Sequence, residues 1–338
     1  MAGSKEIKRR IKSVKSTKKI TKAMEMVAAS KMKRAVASTL ASRLYAEYSW
    51  EVLQSIGKNV EEITNPLFTS PSRKATSSQG NVLLILITSN RGLCGAYNSQ
   101  VIKKTLTLLR QEHLPDRTNP VVRAGGKMNI DIITIGRKGD IAMRRIGKKI
   151  IATFTELPTN ISLTDVVPIS KLAIQEFTVG NYNKVLVAYT DFKSAMLQTA
   201  NIKQIVPVSK TDLKELIENL SETSETEKGL APQGLTLNPE KGRTFSRQTL
   251  ENRVDYLIEG DKNILLGSLA EKLVRMQIYQ MLLESNASEQ SSRMVAMKNA
   301  SEAAGEMIDD LTLAFNKTRQ ANITQEISEI SAGMASVS

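Results

Sequence analysis

The sequence predicts an α/β fold in which the two ends of the chain form a long antiparallel coiled coil and the middle forms a smaller domain. Proline is the first observation: all nine prolines of the 338 residues lie between Pro66 and Pro239. Because proline costs a helix interior about 3 kcal/mol, the proline-free ends are predicted to be long helices. The second observation is a series of apolar runs that alternate with helical segments between those ends, which predicts a Rossmann-like α/β domain.

Both ends show helical periodicity. The N-terminal pattern follows steps of three and four residues, through Ile7, Ile11, Val14, Thr17, Thr21, Met24 and Val27. The C-terminal pattern is more regular and comprises Met294, Met297, Ser301, Ala304, Ile308, Leu311, Phe315 and Thr318, preceded by Leu266, Leu269, Leu273, Met276 and Leu283. Alternating steps of three and four are typical of coiled coils. Two such helices at opposite chain ends are predicted to pair with each other as a shaft.

The chain is predicted to divide into four parts: an N-terminal shaft helix (1–65), a central α/β domain (66–208), a linker or insertion (209–250) and a C-terminal shaft helix (251–338). Within the central domain, strands are predicted at 81–89, 130–136, "KIIATFTEL", 183–192 and 195–208, the last two as an antiparallel pair. Helices are predicted at 96–111, at "KGDIAMRRIG" and at "DVVPISKLAIQEF", with Pro168 in the first turn of the last one.

Charge is concentrated at the N-terminus. Residues 1–46 contain 13 Lys or Arg against Glu6 and Glu25, out of a net charge of +13 for the chain. This predicts an acidic partner, which charge alone leaves open between nucleic acid, lipid and protein. A basic-zipper mode of DNA binding is disfavoured because the apolar stripe runs through the basic segment and ends in small residues. No apolar run is long enough to span a membrane, so no direct membrane insertion is expected.

Motifs that resemble chemical sites are incomplete. "TSNRGLCGAYNSQ" (88–100) follows a strand, where α/β folds bind phosphates, but it lacks the GxGxxG spacing. "RAGGKM" (123–128) lacks the first glycine and the Ser or Thr of a P-loop, so structural turns are favoured at both places. Cys94 is favoured as a buried thiol over a nucleophile, because the one histidine, His113, lies on the far side of the predicted helix that follows Cys94. We therefore predict no catalytic, cofactor-binding or metal-binding residue.

Four segments are similar to one family. "EIKRRIKSVKSTKKITKAMEMVAASKMKRA" (6–35) resembles the N-terminal helix of the γ subunit of F-type ATP synthase, and "SNRGLCGAYN" (89–98) resembles that family's hallmark after the first strand. "GRKG" (136–139) resembles the turn after the second strand, and residues 287–330 resemble the C-terminal helix. On these motifs the chain is identified as a member of the family, of the bacterial type, with an insertion that contains no cysteine.

The resemblance implies a function and partners. In the family, the paired helices form a non-catalytic axle that turns inside a ring of α and β subunits and couples proton flow to ATP synthesis or hydrolysis. The central domain meets the ε subunit and the membrane c-ring, at the inner face of the bacterial plasma membrane, and nucleic acid is not a partner. The resemblance also implies candidate contacts to the ring, which are Arg9, Arg10, Met24, Lys31, Arg293, Gln320, Thr324 and Glu326.

Residues 209–250 carry a separate hypothesis. They are rich in Ser, Thr, Glu, Gly and Pro and look longer than the corresponding segment of typical bacterial γ subunits. One interpretation is a mobile regulatory element that damps reverse rotation, and the favoured alternative is a tolerated surface loop. Deleting residues 212–245 and comparing ATP hydrolysis with synthesis separates the two.

Overall fold

The computed structural model describes residues 2–58, 67, 81–111, 129–158, 160–207 and 262–335. Its elements in chain order are α1 (Ala2–Lys58), β1 (Asn81–Ile87), α2 (Tyr97–Gln111), β2 (Asn129–Ile135), α3 (Arg137–Arg145), β3 (Ile150–Phe154), α4 (Leu163–Thr178), β4 (Lys184–Phe192), β5 (Gln198–Val206) and α5 (Lys262–Ala335). The linker at 209–250, the segment 123–128 and His113 lie outside the described residues.

The two terminal helices form an antiparallel shaft. Lys18 lies against Gly305, and Ser42 donates a hydrogen bond to Gln280. Ala35 and Ala287 belong to one buried cluster. These pairs place residue n of α1 opposite about residue 322 − n of α5. At 1.5 Å per residue, the 57 residues of α1 and the 74 of α5 span about 86 and about 111 Å. The antiparallel coiled coil predicted from the sequence is confirmed.

The helices leave one end of the shaft as a single helix. The register places Ala2, the first described residue of α1, opposite about residue 320 of α5. Residues 321–335 of α5 therefore extend about 22 Å beyond α1. Several large apolar side chains on this extension are exposed, namely Ile323, Ile327, Ile330 and Met334.

The seam between the shaft helices follows the predicted stripe on α5. From Met294 to Thr318, the predicted positions are buried or half-buried, while most of the side chains between them are exposed. On α1 the predicted stripe is wrong at two positions, Thr17 and Val27, which are both exposed. Val27 is 55% exposed, whereas the next residue, Ala28, is 1% exposed. A step of four from Met24, rather than three, returns the helix to the seam. The small side chain of Ala28 allows α5 to approach closely there.

A five-stranded sheet forms the centre of the α/β domain. The strand order is β3-β2-β1-β4-β5. The first four strands are parallel, and β5 pairs antiparallel with β4, as predicted. The six residues Val82–Ile87 of β1 are all buried, because β1 is the central strand and helices cover both of its faces.

The C-terminal shaft helix belongs to the core of this domain. On one face, α2 and α3 contribute Val101, Leu109 and Met143 to the packing against the strands. On the other face, α4 packs beside α5, which contributes Ala270, Leu273, Val274, Ile278, Met281 and Leu282. The sheet thus sits directly on the shaft, and α5 serves as one of its covering helices.

The start of α4 differs from the prediction. Asp165 accepts hydrogen bonds from the backbone N–H of Ser162 at 2.8 Å and from its hydroxyl at 2.6 Å. These bonds lower the pKa of Asp165. The cap places the first helical residue at Leu163, so Pro168 lies in the second turn instead of the first. The predicted helix began at Asp165, and the capping box between Ser162 and Asp165 accounts for the earlier observed start.

Candidate functional site

The crevice at the carboxyl ends of the parallel strands is where an α/β fold can bind phosphate. Here the chain's own groups occupy the N-terminus of α3. The N–H of Arg137 donates to Asn90 Oδ1 at 3.0 Å, and that of Lys138 donates to the carbonyl of Ser89 at 3.1 Å. The N–H of Gly139 donates to Thr88 Oγ1 at 2.8 Å. The three donors that would face a phosphate are therefore already paired.

Two glycines allow this close approach. Gly136 has φ of 91°, and a Cβ at this position would lie 2.1 Å from the carbonyl oxygen of Thr88. A Cβ on Gly139 would lie 2.9 Å from Thr88 Oγ1. The turn "GRKG" thus lets α3 pack against the end of β1. The segment is therefore a structural turn, with no space for a phosphate between the N-terminus of α3 and the end of β1.

Cys94 lies in the same turn and is 2% exposed. Its sulfur accepts a hydrogen bond from Asn98 Nδ2 at 3.1 Å and lies 3.7 Å from Ser89 Oγ. Asn98 Oδ1 also accepts the N–H of Ser89 at 3.0 Å. These contacts hold the loop after β1 in place, which is the packing role expected for this thiol.

A group of charged side chains lies where the shaft meets this crevice. Arg293 of α5 pairs with Glu289 at 2.8 Å and donates to Gln290 Oε1 at 3.0 Å and to the carbonyl of Gly92 at 3.4 Å. Burial raises the pKa of Glu289, and the neighbouring charges of Arg293 and of Lys31 on α1 oppose that rise. Both shaft helices and the loop after β1 therefore meet at one ion pair.

A cavity of about 270 Å³ lies beside this ion pair. Its walls include Lys31, Glu289 and Arg293 from the shaft and Asn90 and Gly136 from the domain. Tyr97 also lines the cavity, and burial followed by the charge of Glu289 raises the pKa of its hydroxyl. The tyrosine is therefore a neutral hydrogen-bonding group at any physiological pH.

The eight predicted ring contacts fall into two groups and one intermediate position. Lys31 and Arg293 lie together at the junction just described. Five others are exposed toward the single-helix end of the shaft: Arg9, Arg10, Gln320, Thr324 and Glu326. Met24 is half-buried between the two groups. The helix itself satisfies some of these polar groups, since Arg10 pairs with Glu6 at 3.1 Å and the hydroxyl of Thr324 donates to the carbonyl of Gln320 at 3.0 Å.

Some residues of the junction were not singled out from the sequence. Glu289 lies four residues before Arg293, so the two share a helix face, and that spacing was a usable signal. Tyr97 and Asn90 gave no such signal. Their roles depend on which loops the sheet brings together, and one sequence does not show this.

The site as a whole is a packed junction between the shaft and the α/β domain. Across the described ranges, no cluster of three or more His, Cys, Asp or Glu residues could hold a metal ion. Of the described helices, none combines the length and hydropathy needed to cross a membrane. The fold and the junction define a class of protein: a long two-helix stalk that carries an α/β domain at one end.

Comparison with known proteins identifies the family. The family model described as ATP synthase matches residues 3–337. The ATP synthase gamma chain of Legionella pneumophila (strain Corby) is 33% identical over 339 aligned residues, with 100% of both chains covered. That of Chloroflexus aurantiacus is 34% identical over 337 residues, covering 100% of this chain and 99% of the relative. The chain belongs to the ATP synthase gamma chain family.

A solved structure shares the fold. A chain from the OSCP/F1/c-ring part of the Euglena gracilis mitochondrial ATP synthase superposes with a TM-score of 0.60 at 17% identity, covering 99% of this chain and 95% of that one. The shaft and the α/β domain thus recur together at low sequence identity.

Proposed function

We propose that this chain is the central rotor stalk of an F-type ATP synthase. It turns inside a ring of α and β subunits and couples proton flow across a membrane to ATP synthesis or hydrolysis, without catalysing either reaction itself. The observation that carries the proposal is the full-length match to gamma chains, in a chain that combines a long two-helix shaft with an α/β domain at one end.

The shaft suits this function for two physical reasons. Paired helices resist bending and twisting more than one helix does, and contacts between α1 and α5 run from Lys18 to Ser42 of α1. The two faces of the shaft also differ in charge. Residues 2–42 of α1 carry 12 Lys or Arg against Glu6 and Glu25, while the opposing residues 280–320 of α5 carry 4 basic and 6 acidic side chains. Such an asymmetric rotor can favour different ring conformations at different angles.

The single-helix end of the shaft is the proposed ring-facing end. Arg9, Arg10, Gln320, Thr324 and Glu326 are exposed there and are available for partner contacts. Met24 is proposed to contact the ring through its exposed part. Lys31 and Arg293 are proposed to reach the ring at the junction, where Arg293 already has partners in its own chain.

The α/β domain is proposed to meet the ε subunit and the membrane c-ring. Under this proposal the domain comprises residues 66–208, the shaft residues 1–65 and 251–338, and the linker residues 209–250. The protein would be peripheral at the inner face of the bacterial plasma membrane. The bacterial relatives support this location. Nucleic acid is the alternative acidic partner, because α1 is strongly basic. The following experiment therefore includes nucleic-acid binding as an outcome.

Co-purification tests the proposed function. The tagged chain is isolated from mildly solubilised native membranes after nuclease treatment, followed by subunit identification and an ATPase assay. We expect one copy of the chain with three copies each of two larger ATP-binding subunits, and ATP hydrolysis. Isolation of the chain without these subunits, with its partners lost on nuclease treatment, would contradict the proposal.

Cross-linking tests the orientation of the shaft. Cys94 is 2% exposed, so cysteines introduced at exposed positions become the reactive ones. A complex with Glu326→Cys should cross-link to a ring subunit, whereas Val179→Cys, at a position 68% exposed on the α/β domain, should not. The reverse pattern would place the α/β domain inside the ring.

A further inference from the structure

The strand β4 extends beyond its neighbour β1. Pairing between the two ends at Leu86 and Ala188, while β4 continues to Phe192. On the side where β1 would have continued, the backbone N–H and C=O of Thr190 are buried and need other partners. The helix α5 passes along this side of the sheet.

Serine hydroxyls of α5 supply those partners. The N–H of Thr190 donates to Ser285 Oγ at 3.1 Å, and Ser288 Oγ donates to the carbonyl of Thr190 at 3.3 Å. Ser285 is 1% exposed and Ser288 is fully buried. Residues three apart lie on one helix face about one turn apart. Two side chains of α5 thus make the hydrogen bonds with Thr190 that a longer β1 would have made.

The next turn of α5 holds the hairpin between β4 and β5. Ser291 Oγ donates to the carbonyl of Ala195 at 2.6 Å and accepts from Gln198 Nε2 at 3.3 Å. Ser292 Oγ donates to Gln198 Oε1 at 3.0 Å. The serine ladder, defined as Ser285, Ser288, Ser291 and Ser292, therefore runs from the end of β4 to the hairpin.

Hydrogen bonds add a directional restraint to the apolar packing between the sheet and the shaft. The apolar face of α5 between Ala270 and Leu282 holds the sheet against the shaft through contacts that are non-directional. A hydrogen bond weakens steeply once its distance or angle departs from the narrow preferred range. The serine ladder therefore opposes rotation of the α/β domain about the shaft and sliding along it.

We propose that the serine ladder is the joint that makes the α/β domain and the shaft turn as one body. The proposal rests on the rotor function proposed above. It assigns Ser288, Ser291 and Ser292 as positioning residues for torque transfer between the domain and the shaft. The sequence run "ASEQSSRM" supplies these three hydroxyls within five residues.

The test compares two variants of the assembled complex. The ladder variant carries Ser288→Ala, Ser291→Ala and Ser292→Ala, and it keeps Ser285, which also lines the cavity together with Tyr97. The matched control is Ser301→Ala, a serine of the same helix that is 6% exposed at the shaft seam. Where the triple variant does not assemble, Ser292→Ala alone removes one bond at a half-buried position.

Hydrogen exchange provides the first measurement. Each lost hydrogen bond should speed local opening of residues 190–198 by roughly three- to tenfold. The control should leave exchange in this segment unchanged. Equal exchange in the ladder variant and the wild type would overturn the proposal, because the hydroxyls would then not hold the hairpin.

Torsional fluctuation provides the second measurement, which a purely local structural role would not change. A rod is attached to Val179→Cys on the domain while the ring is fixed to a surface. We expect a larger angular variance for the ladder variant than for the wild type and for Ser301→Ala. Equal variance with faster exchange would overturn the torque role. Failure of the wild-type complex itself to rotate with ATP would instead overturn the proposed function.

Discussion

Replacing Ile278 with alanine should loosen the central sheet as well as the helix that carries the residue. Ile278 lies on α5, is fully buried, and belongs to the same core as Leu83, Ile85 and Val187. The substitution removes about three buried carbons at about 0.8 kcal/mol each, and the remaining cavity adds to that cost. We expect a loss of about 3 kcal/mol, within the range for such truncations.

Native-state hydrogen exchange measures this loss strand by strand. A loss of about 3 kcal/mol corresponds to roughly 150-fold faster exchange of amides that open only with the sheet, such as those of Leu84 and Ile133. Ile323→Ala on the same helix is the control, since Ile323 is 47% exposed and surface truncations usually cost under about 0.5 kcal/mol. Faster exchange in α5 alone, with the sheet unaffected, would refute the conclusion that this helix is part of the domain core.

Three further substitutions should destabilise the chain, stabilise the shaft and alter the pH dependence of stability, respectively. Gly136→Ala should destabilise the chain by at least about 3 kcal/mol, because the added Cβ would overlap the carbonyl group of Thr88 and φ is 91°. Gly147→Ala, at φ of 74° in open space, should cost only about 1 kcal/mol of backbone strain. Similar urea midpoints for the two variants would contradict this difference. Gly305→Ala should stabilise the shaft by about 0.5–1 kcal/mol, since alanine favours helix and the added carbon meets only the flexible end of a lysine; a lower melting temperature would show that this lysine cannot move. Burial raises the pKa of Glu289 above 4.5, so the folded state binds more protons than the unfolded chain just above that pH. The free energy of unfolding should therefore fall as the pH rises through this window. Glu289→Gln should remove this dependence, and an identical dependence of unfolding free energy on pH in the variant and the wild type would exclude the effect.

The shaft was predictable from the sequence because its signal is local. The absence of proline and the three-four spacing are properties of continuous segments, and the stripe from Met294 to Thr318 matches the observed seam. The error at Val27 has a physical cause: an alanine and a valine in adjacent positions differ in hydrophobicity, but the seam selects for small size. Hydropathy alone therefore selected the wrong one.

The attachment of the domain to the shaft was not predictable in the same way. The serines of α5 look like ordinary polar positions on a helix, and nothing local shows that Thr190 lacks a strand partner. That need arises because β1 ends before β4 does, which is a property of the sheet. The same applies to Thr88 and Asn90, which fill the crevice only after two loops meet. The sequence could indicate an incomplete phosphate site, and the structure shows which groups occupy it.

Rotation of this chain relative to the ring can be observed directly. The chain with Val179→Cys is assembled with its ring subunits, the ring is fixed to a surface, and a gold rod is attached to the new thiol, since Cys94 is buried. We expect ATP to drive the rod in one direction in three equal steps per turn, one for each catalytic position of the ring. A rod that stays fixed relative to the ring while ATP is hydrolysed would show that the chain is a static part of the complex and not its rotor.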